Sequence, residues 1–438
     1  MVKPSLTVTN SPMNRRKFLK TGIAAAISMP LILPSRVLGR DGHVAPSNQI
    51  VVGGIGLGPR GRLVLREGFL KQSDVRFVAI ADPRADNRET IRRIVNGAYG
   101  NEDCHSCPDM FEILGREDID AVVIATGNRW HGLASILAAN AGKDVYCEKP
   151  ISMSIQESFD LAQFVNAKNR IYQGGMQRRN VQNFQFAVNL ARSGKLGRLK
   201  SVHAGILRKS FLTDPYPSEE MPTPEVCDWD RWVGPSPMRP YNRKYLLGGW
   251  RDFEDLYGLT YLPEWGSHTI DLCQWAADMD SGGPVHFECD GDTVYGTYAN
   301  GVQLVMRTAG FKGEGGWKVS GSCPVRFEGD EGWIEADDQR DLVASHPSLL
   351  AGAPTQSLHG THPSRHVREF VDSVKSRKPT ACNATSAANT HVVCHAASIA
   401  WKLGRPLKFA PEKGLFDGDD EANRLCRWQY REPWKLPA

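Results

Sequence analysis

"NQIVVGGIGLGPRGRLVLREGFLK", residues 48–71, is a short apolar run that ends in glycines and passes directly into a helical pattern. Strand, glycine turn and helix in that order are the context in which G-x-G-x-x-G grips a dinucleotide. Gly56, Gly58 and Gly61 occupy the three glycine positions. The first permits the tight turn, the second lets a pyrophosphate approach the backbone, and the third packs helix on strand. The helix N-terminus offers amide donors and partial positive charge to phosphates, and Arg60 is counted with this cofactor loop.

Downstream, "VRFVAIAD" (75–82) reads as a second buried strand ending at Asp82, 21 residues past Gly61. A carboxylate there accepts both ribose hydroxyls of NAD and repels a 2′-phosphate, so NAD is expected over NADP. Arg84, two residues on, keeps NADP as the lesser alternative. The runs "AVVIATG", "DVYCEKP" and "IYQGGM" alternate with helical segments near 131–142 and 154–169. That alternation predicts a mostly parallel sheet covered on both faces, with ligands beyond the carboxyl ends of its strands. At two such ends, "ATGNRWH" puts Thr126, Trp130 and His131 near the nicotinamide half of the cofactor, and "CEKP" supplies Glu148, Lys149 and Pro150. An ordinary turn with a solvated ammonium is the bland reading of Lys149-Pro150, and the surrounding strand pattern outweighs it.

Ahead of this unit, "NRRKFLKTGIAAAISMPLILPSRVLG" (14–39) has the three parts of an export signal: basic residues, a short apolar run and small residues near a cut after Gly39. The paired arginines followed by Phe-Leu-Lys resemble a twin-arginine signal, a route that carries folded proteins. Residues 1–39 are therefore read as a signal peptide and the protein as periplasmic or otherwise exported. The six basic residues of this segment face no acid, so the formal charge of +4 for the chain becomes −2 for residues 40–438. Nothing in that balance argues for a nucleic-acid partner. Ten cysteines are scattered along the chain, with only Cys104 and Cys107 of "CHSC" close together. Two loop thiols, a disulfide or half of a metal site with His105 are all open readings; no complete metal set is expected.

In the second half, "EWGSHTIDLCQWAADM" (264–279) sets Glu264, His268, Asp271 and Trp275 on one helical stripe, with Ile270, Leu272, Cys273 and Ala276 elsewhere. A solvated face is the bland reading of that stripe; opposite Lys149 it becomes a proton-transfer site. Further on, "DTVYGTY", Asn300-Gly301 and "VQLVMRTAG" predict strand, turn and strand, and "PVRFEGDEGWIEA" repeats the pattern, as in an antiparallel sheet. His391 and His395 share a helical face where packing is the expected role. Trp229, Trp232, Tyr241, Trp250 and Arg251 lie in a loop-rich stretch suited to line a carbohydrate cleft, and Arg178 of "GGMQRR" is a further candidate for substrate contact.

Taken together, these stretches, with "DWDRWVGPSP" and "DDEANRLCRWQYREPW", resemble the Gfo/Idh/MocA family of oxidoreductases over nearly everything after residue 48. The resemblance implies an α/β Rossmann domain over 48–175. It also implies an α+β substrate-binding and oligomerisation domain over 176–438, with a large open, mainly antiparallel sheet. Carried over by position, Lys149 and His268 would act on a sugar or cyclitol hydroxyl beside NAD(P), Pro150 would be cis, and a homo-oligomer would form through the open sheet. Glu264 stands where the family usually has Asp, and Tyr257-Gly258 where it has Gly-Gly, which puts the substrate in doubt more than the fold. His268 is expected to act as general base, oriented by Glu264 or Asp271, while Lys149 stabilises the alkoxide. Export of a folded protein adds a constraint: a cofactor carried out in it must be restored at each turnover. Three functions follow as expectations. One is an oxidoreductase with a recycled cofactor. The second is an NAD-dependent glycosidase or lyase that oxidises, eliminates and re-reduces. The third is a non-catalytic sugar-binding protein, against which the presence of both Lys149 and His268 argues.

Overall fold

Mostly apolar, mostly buried strands build the first sheet, with Ala121–Ile124 at its centre buried throughout, because a parallel sheet is covered by helices on both faces. β1 (Ile50–Ile55), β2 (Val75–Ala81), β3 (His105–Cys107), β4 (Ala121–Ile124), β5 (Asp144–Cys147) and β6 (Tyr172–Gly174) are all parallel, in the order β3-β2-β1-β4-β5-β6. This is the doubly wound Rossmann order, whose switch point lies between β1 and β4. The crevice above that point is where the glycine turn after β1 sits. The structure is a computed structural model that describes residues 44–45, 48–309 and 316–437. The export signal read at 14–39 lies outside the described residues. No helix among them is long and apolar enough to cross a membrane.

The chain then enters a second, nine-stranded sheet through β7 (Leu199–Ile206). Its other strands are β8 (His286–Asp290), β9 (Thr293–Thr297), β10 (Gln303–Thr308), β11 (Val325–Gly329), β12 (Trp333–Ala336), β13 (Leu342–Ala344), β14 (Leu407–Ala410) and β15 (Leu415–Phe416). The order is β13-β12-β11-β7-β10-β9-β8-β14-β15. All pairs are antiparallel except β7 with β10, so the expected open, mainly antiparallel sheet is present as a mixed one. The two predicted hairpins are β9–β10, with Gly301 at a φ of +84°, and β11–β12. Alternate residues Val202, Ala204, Leu304, Met306, Val325 and Phe327 point to one face. There they meet the helices Gln182–Arg192, Leu262–Ala276 and Ala384–Leu403 in one apolar core. Helix Leu262–Ala276, which carries the ionisable stripe, is therefore buried against the sheet rather than solvated. From Ile50 onward the chain forms one compact unit that contains both sheets.

Candidate active site

The glycine turn is built as a phosphate cradle. Gly56 has a φ of +64°, and a Cβ there would lie 2.3 Å from the Thr126 side chain. Only glycine combines the left-handed backbone with that close approach. At Gly58, which caps the helix Pro59–Glu67, a Cβ would meet no atom closer than 4.0 Å, so this position faces open space. The helix has no side-chain cap and no acid in its first turn, which leaves its amides for an anion. Gly61 is a packing position instead: a Cβ would press on Ala125 at 2.9 Å. Gly56→Ala is accordingly expected to weaken NADH binding at least ~10-fold in a fluorescence titration; unchanged affinity would remove the turn from the site.

A cavity of about 420 Å³ opens over this turn. Arg60, Arg62, Arg84, Arg129, Arg231 and Arg251 line it against only two carboxylates, Asp82 and Asp109. Arg60 is ion-paired with Glu148, Arg84 with Asp86, and Arg231 with Asp109 and Asp228, and the remaining cations, Arg62, Arg129 and Arg251, suit a dianionic pyrophosphate. Asp82 is 6% exposed, accepts from the Arg84 backbone N–H at 2.9 Å and from Asn87, and burial raises its pKa. The Arg84 guanidinium is engaged elsewhere, by Asp86 and by the Leu246 carbonyl at 2.8 Å. Thr126 and Trp130 line the cavity as expected, and the Trp130 indole donates to the Arg231 carbonyl at 3.0 Å. The donors and the open position at Gly58 fit a dinucleotide.

Lys149 leaves β5 on a cis Lys149-Pro150 bond, as expected. Its ammonium donates to the Glu264 carbonyl at 2.8 Å and lies 3.0 Å from the Glu264 carboxylate. The same carboxylate accepts from the Tyr257 hydroxyl. Burial pushes Glu264 up, but the Lys149 charge and the Tyr257 hydrogen bond outweigh it and hold the group ionised below its usual range. The two positions that depart from the family pattern thus bond to each other. His268, one turn along the same helix, is 3% exposed. Burial, with Arg178, Lys149 and Arg60 nearby, holds its pKa well below the ordinary imidazole value.

Several expected roles are corrected. Neither Glu264 nor Asp271 orients His268, whose Nδ1 is buried with no hydrogen-bond partner among the described residues. Asp271 is gripped instead by Arg179 at 2.7 and 2.8 Å and by the Thr390 hydroxyl at 3.1 Å. Glu148 does not line the cavity; it is 3% exposed and holds Arg60 at 3.1 Å and Gln177 at 2.9 Å, so it positions a cavity residue. His131 faces away from the cavity: its Nδ1–H donates to the Pro150 carbonyl at 2.6 Å, and burial lowers its pKa to about 4. Arg178 is 4% exposed and spent on Asp338, with bonds of 2.6 and 2.9 Å, rather than open to substrate. Arg251, Trp232 and Trp250 do line the cavity, whereas Tyr241 does not and packs edge-on against Trp229, in the aromatic cluster that Trp232 joins to the cavity wall.

Two sets of residues join the site from afar. The His391 Nε2 accepts from the Ile151 N–H at 3.1 Å and lies 3.0 Å from the Ser267 hydroxyl, which donates to the Pro263 carbonyl, while the Nδ1–H of His391 donates to Ala387. His395 meets the Ser152 hydroxyl at 3.2 Å. With His131, these histidines fix the loop that aims Lys149. The C-terminal segment also returns: Trp434 lines the cavity and packs 4.8 Å from Trp130, edge to face, and the Tyr430 hydroxyl donates to Glu157 at 2.6 Å. At the edge strand, all ten cysteines being free, Cys104 and Cys107 form no disulfide among the described residues. Cys107, His105 and Glu112 place possible ligand atoms within 4.8 Å of one another there.

A Rossmann crevice with a glycine cradle, whose own Lys149 meets the helix of the second sheet domain that carries His268, defines a dinucleotide-binding oxidoreductase. The comparisons give the family. Residues 50–176 match the oxidoreductase family's NAD-binding Rossmann fold (GFO_IDH_MocA), and residues 193–436 match its C-terminal alpha/beta domain (GFO_IDH_MocA_C2). The chain belongs to the Gfo/Idh/MocA oxidoreductase family. It is 30% identical over 134 residues to a 2,7-anhydro-N-acetylneuraminate hydratase of Mediterraneibacter gnavus, covering 31% of this chain and 33% of that protein. It is 28% identical over 207 residues to an alpha-N-acetylgalactosaminidase of Shewanella oneidensis, covering 43% and 44%. The chain thus spans less than half the length of these curated relatives. In fold, it is similar to the aldose-aldose oxidoreductase of Caulobacter crescentus, with a TM-score of 0.58, 17% identity and coverage of 82% and 100%.

Proposed function

We propose that the protein oxidises a secondary hydroxyl of a sugar or cyclitol beside a tightly held NAD and returns that cofactor to its starting state within each catalytic cycle. The observation that carries this reading is the Lys149 ammonium held by Glu264, one helical turn before His268, in a fold whose glycine turn opens on a cleft fitted for a dinucleotide. Asp82 at the ribose position and an Arg84 already engaged favour NAD over NADP. The nicotinamide, when bound, supplies the hydride acceptor. His268, kept neutral, accepts the hydroxyl proton, and the Lys149 ammonium stabilises the alkoxide as charge builds on oxygen. Glu264, fixed by Tyr257, holds the ammonium in position. An exported location, carried by the twin-arginine-like segment, supports a cofactor that is not exchanged. The homo-oligomer and the domain limits at 48–175 and 176–438 belong to the same proposal.

The hydratase and glycosidase among the relatives favour a second reading, in which oxidation is transient and drives elimination before re-reduction. One measurement tests the retained cofactor that both readings share, and a second separates the readings. Protein purified without added cofactor and then denatured should release NAD(H); release of none would sink the retained-cofactor proposal. A model glycoside incubated with no acceptor should give free aglycone only under the second reading, whereas the first requires a second sugar or carbonyl before any turnover.

A further inference from the structure

Among the six arginines of the cavity, Arg129 is the anomaly. It is 2% exposed, and its charge meets no carboxylate directly: Nε donates to the carbonyls of Trp232 and Val233 at 3.2 and 2.9 Å, and Nη2 to Trp232. Asp255, the carboxylate whose field reaches it, is bonded to Arg239. Nη1 is buried and has no partner among the described residues. The guanidinium lies 4.2 Å from the Trp232 ring centre and 5.8 Å from that of Trp250. These faces stabilise a cation without satisfying its N–H donors. Burial, with Arg239 nearby, brings the pKa of this group down to about 9.

A buried, uncompensated guanidinium is costly, and it persists where an anion completes it. The orphaned Nη1 has a defined place. A Cβ on Gly127 would lie 2.3 Å from it, so the glycine at the end of the β4 turn makes room for it. Thr126, the next residue back, packs on Gly56 of the phosphate cradle. On the other side, Asn128 donates to the Tyr257 carbonyl at 2.8 Å, and Tyr257 bonds Glu264 of the catalytic group. Arg129 therefore stands between the cradle and the reacting centre. We propose that Arg129 is an oxyanion-binding residue of this cleft, taking either the dinucleotide pyrophosphate or a carboxylate on the sugar substrate. The assignment rests on the function proposed above for the occupant of the cleft.

The test uses the full chain and two matched pairs of probes: NADH with adenosine, and D-glucuronate with D-glucose, which differ at C6. Charge-assisted hydrogen bonds of this kind predict that Arg129→Gln weakens one anionic probe about 10- to 100-fold and leaves its neutral counterpart unchanged. Arg129→Lys should restore part of the loss. Loss confined to NADH assigns the pyrophosphate; loss confined to glucuronate assigns a substrate carboxylate. Equal binding of both anions by wild type and both variants would overturn the proposal. If the Gln variant does not fold, the wild type still decides. Inorganic pyrophosphate or glucuronate should raise its melting temperature more than chloride at equal ionic strength, and no such excess would also overturn the assignment. A wild type that binds glucuronate through Arg129 but no NADH would keep the oxyanion site and overturn the cofactor reading instead.

Discussion

Lys149→Met and His268→Gln are each expected to lower turnover at least ~10³-fold while NADH affinity stays within a few fold of wild type. In the proposed mechanism both side chains act on charge that exists mainly in the transition state, so their removal falls on kcat more than on cofactor binding. The pH profile gives a second readout. As proposed, His268 works as the unprotonated base, and its pKa lies well below 6.5 through burial and the cations around it. The acid limb of kcat/KM for the wild type should therefore fall below pH 6.5. A limb at or above that value would assign it to another group. A depressed pKa also makes the imidazole a weak proton acceptor, which a dinucleotide pyrophosphate beside Arg60 would offset by countering one of the cations. Turnover unchanged in both variants would remove the catalytic assignment and leave a sugar-binding protein.

What the sequence could carry divides by the range of the interaction. The Rossmann sheet was legible because strands buried on both faces need unbroken apolar runs, and "AVVI" and "VRFVAIA" have them. Gly56 and Asp82 were legible because local backbone geometry and a fixed spacing demand them. The stripe of Glu264, His268 and Asp271 was also correct as geometry. Periodicity, however, says which residues share a face and nothing about what meets that face. Glu264 meets Lys149 and Tyr257, while Asp271, two turns on, meets Arg179. Arg178, adjacent to Arg179, is likewise claimed by Asp338, 160 residues away. The same limit hid Trp434, which reaches Trp130 only through the return of the C-terminal segment. Arg129 carried one signal in the sequence: a basic residue directly after the strand-ending "ATGN", where the cleft must lie.

Arg179→Met is expected to cause the largest loss of stability, about 3–5 kcal/mol. Arg179 donates to both oxygens of Asp271, to both oxygens of Asp280 at 2.6 and 2.9 Å, and to the Ala381 carbonyl at 3.2 Å. Asp271 is fully buried, so loss of the guanidinium leaves a carboxylate with only the Thr390 hydroxyl beside it. The melting temperature should fall on the order of 10 °C. Asp271→Asn breaks the same pair from the other side and should cost a comparable amount. The double variant Arg179→Met/Asp271→Leu should recover much of the loss, because it removes both buried charges and leaves neither unpaired. Kinetics then distinguish anchoring of the helix from orientation of the imidazole. In folded Asp271→Asn, the acid limb of kcat/KM should stay where it is in wild type, since His268 Nδ1 does not touch Asp271. A limb shifted by a full pH unit, with the melting temperature unchanged, would return Asp271 to the catalytic group and displace Arg179 as its reason for being buried.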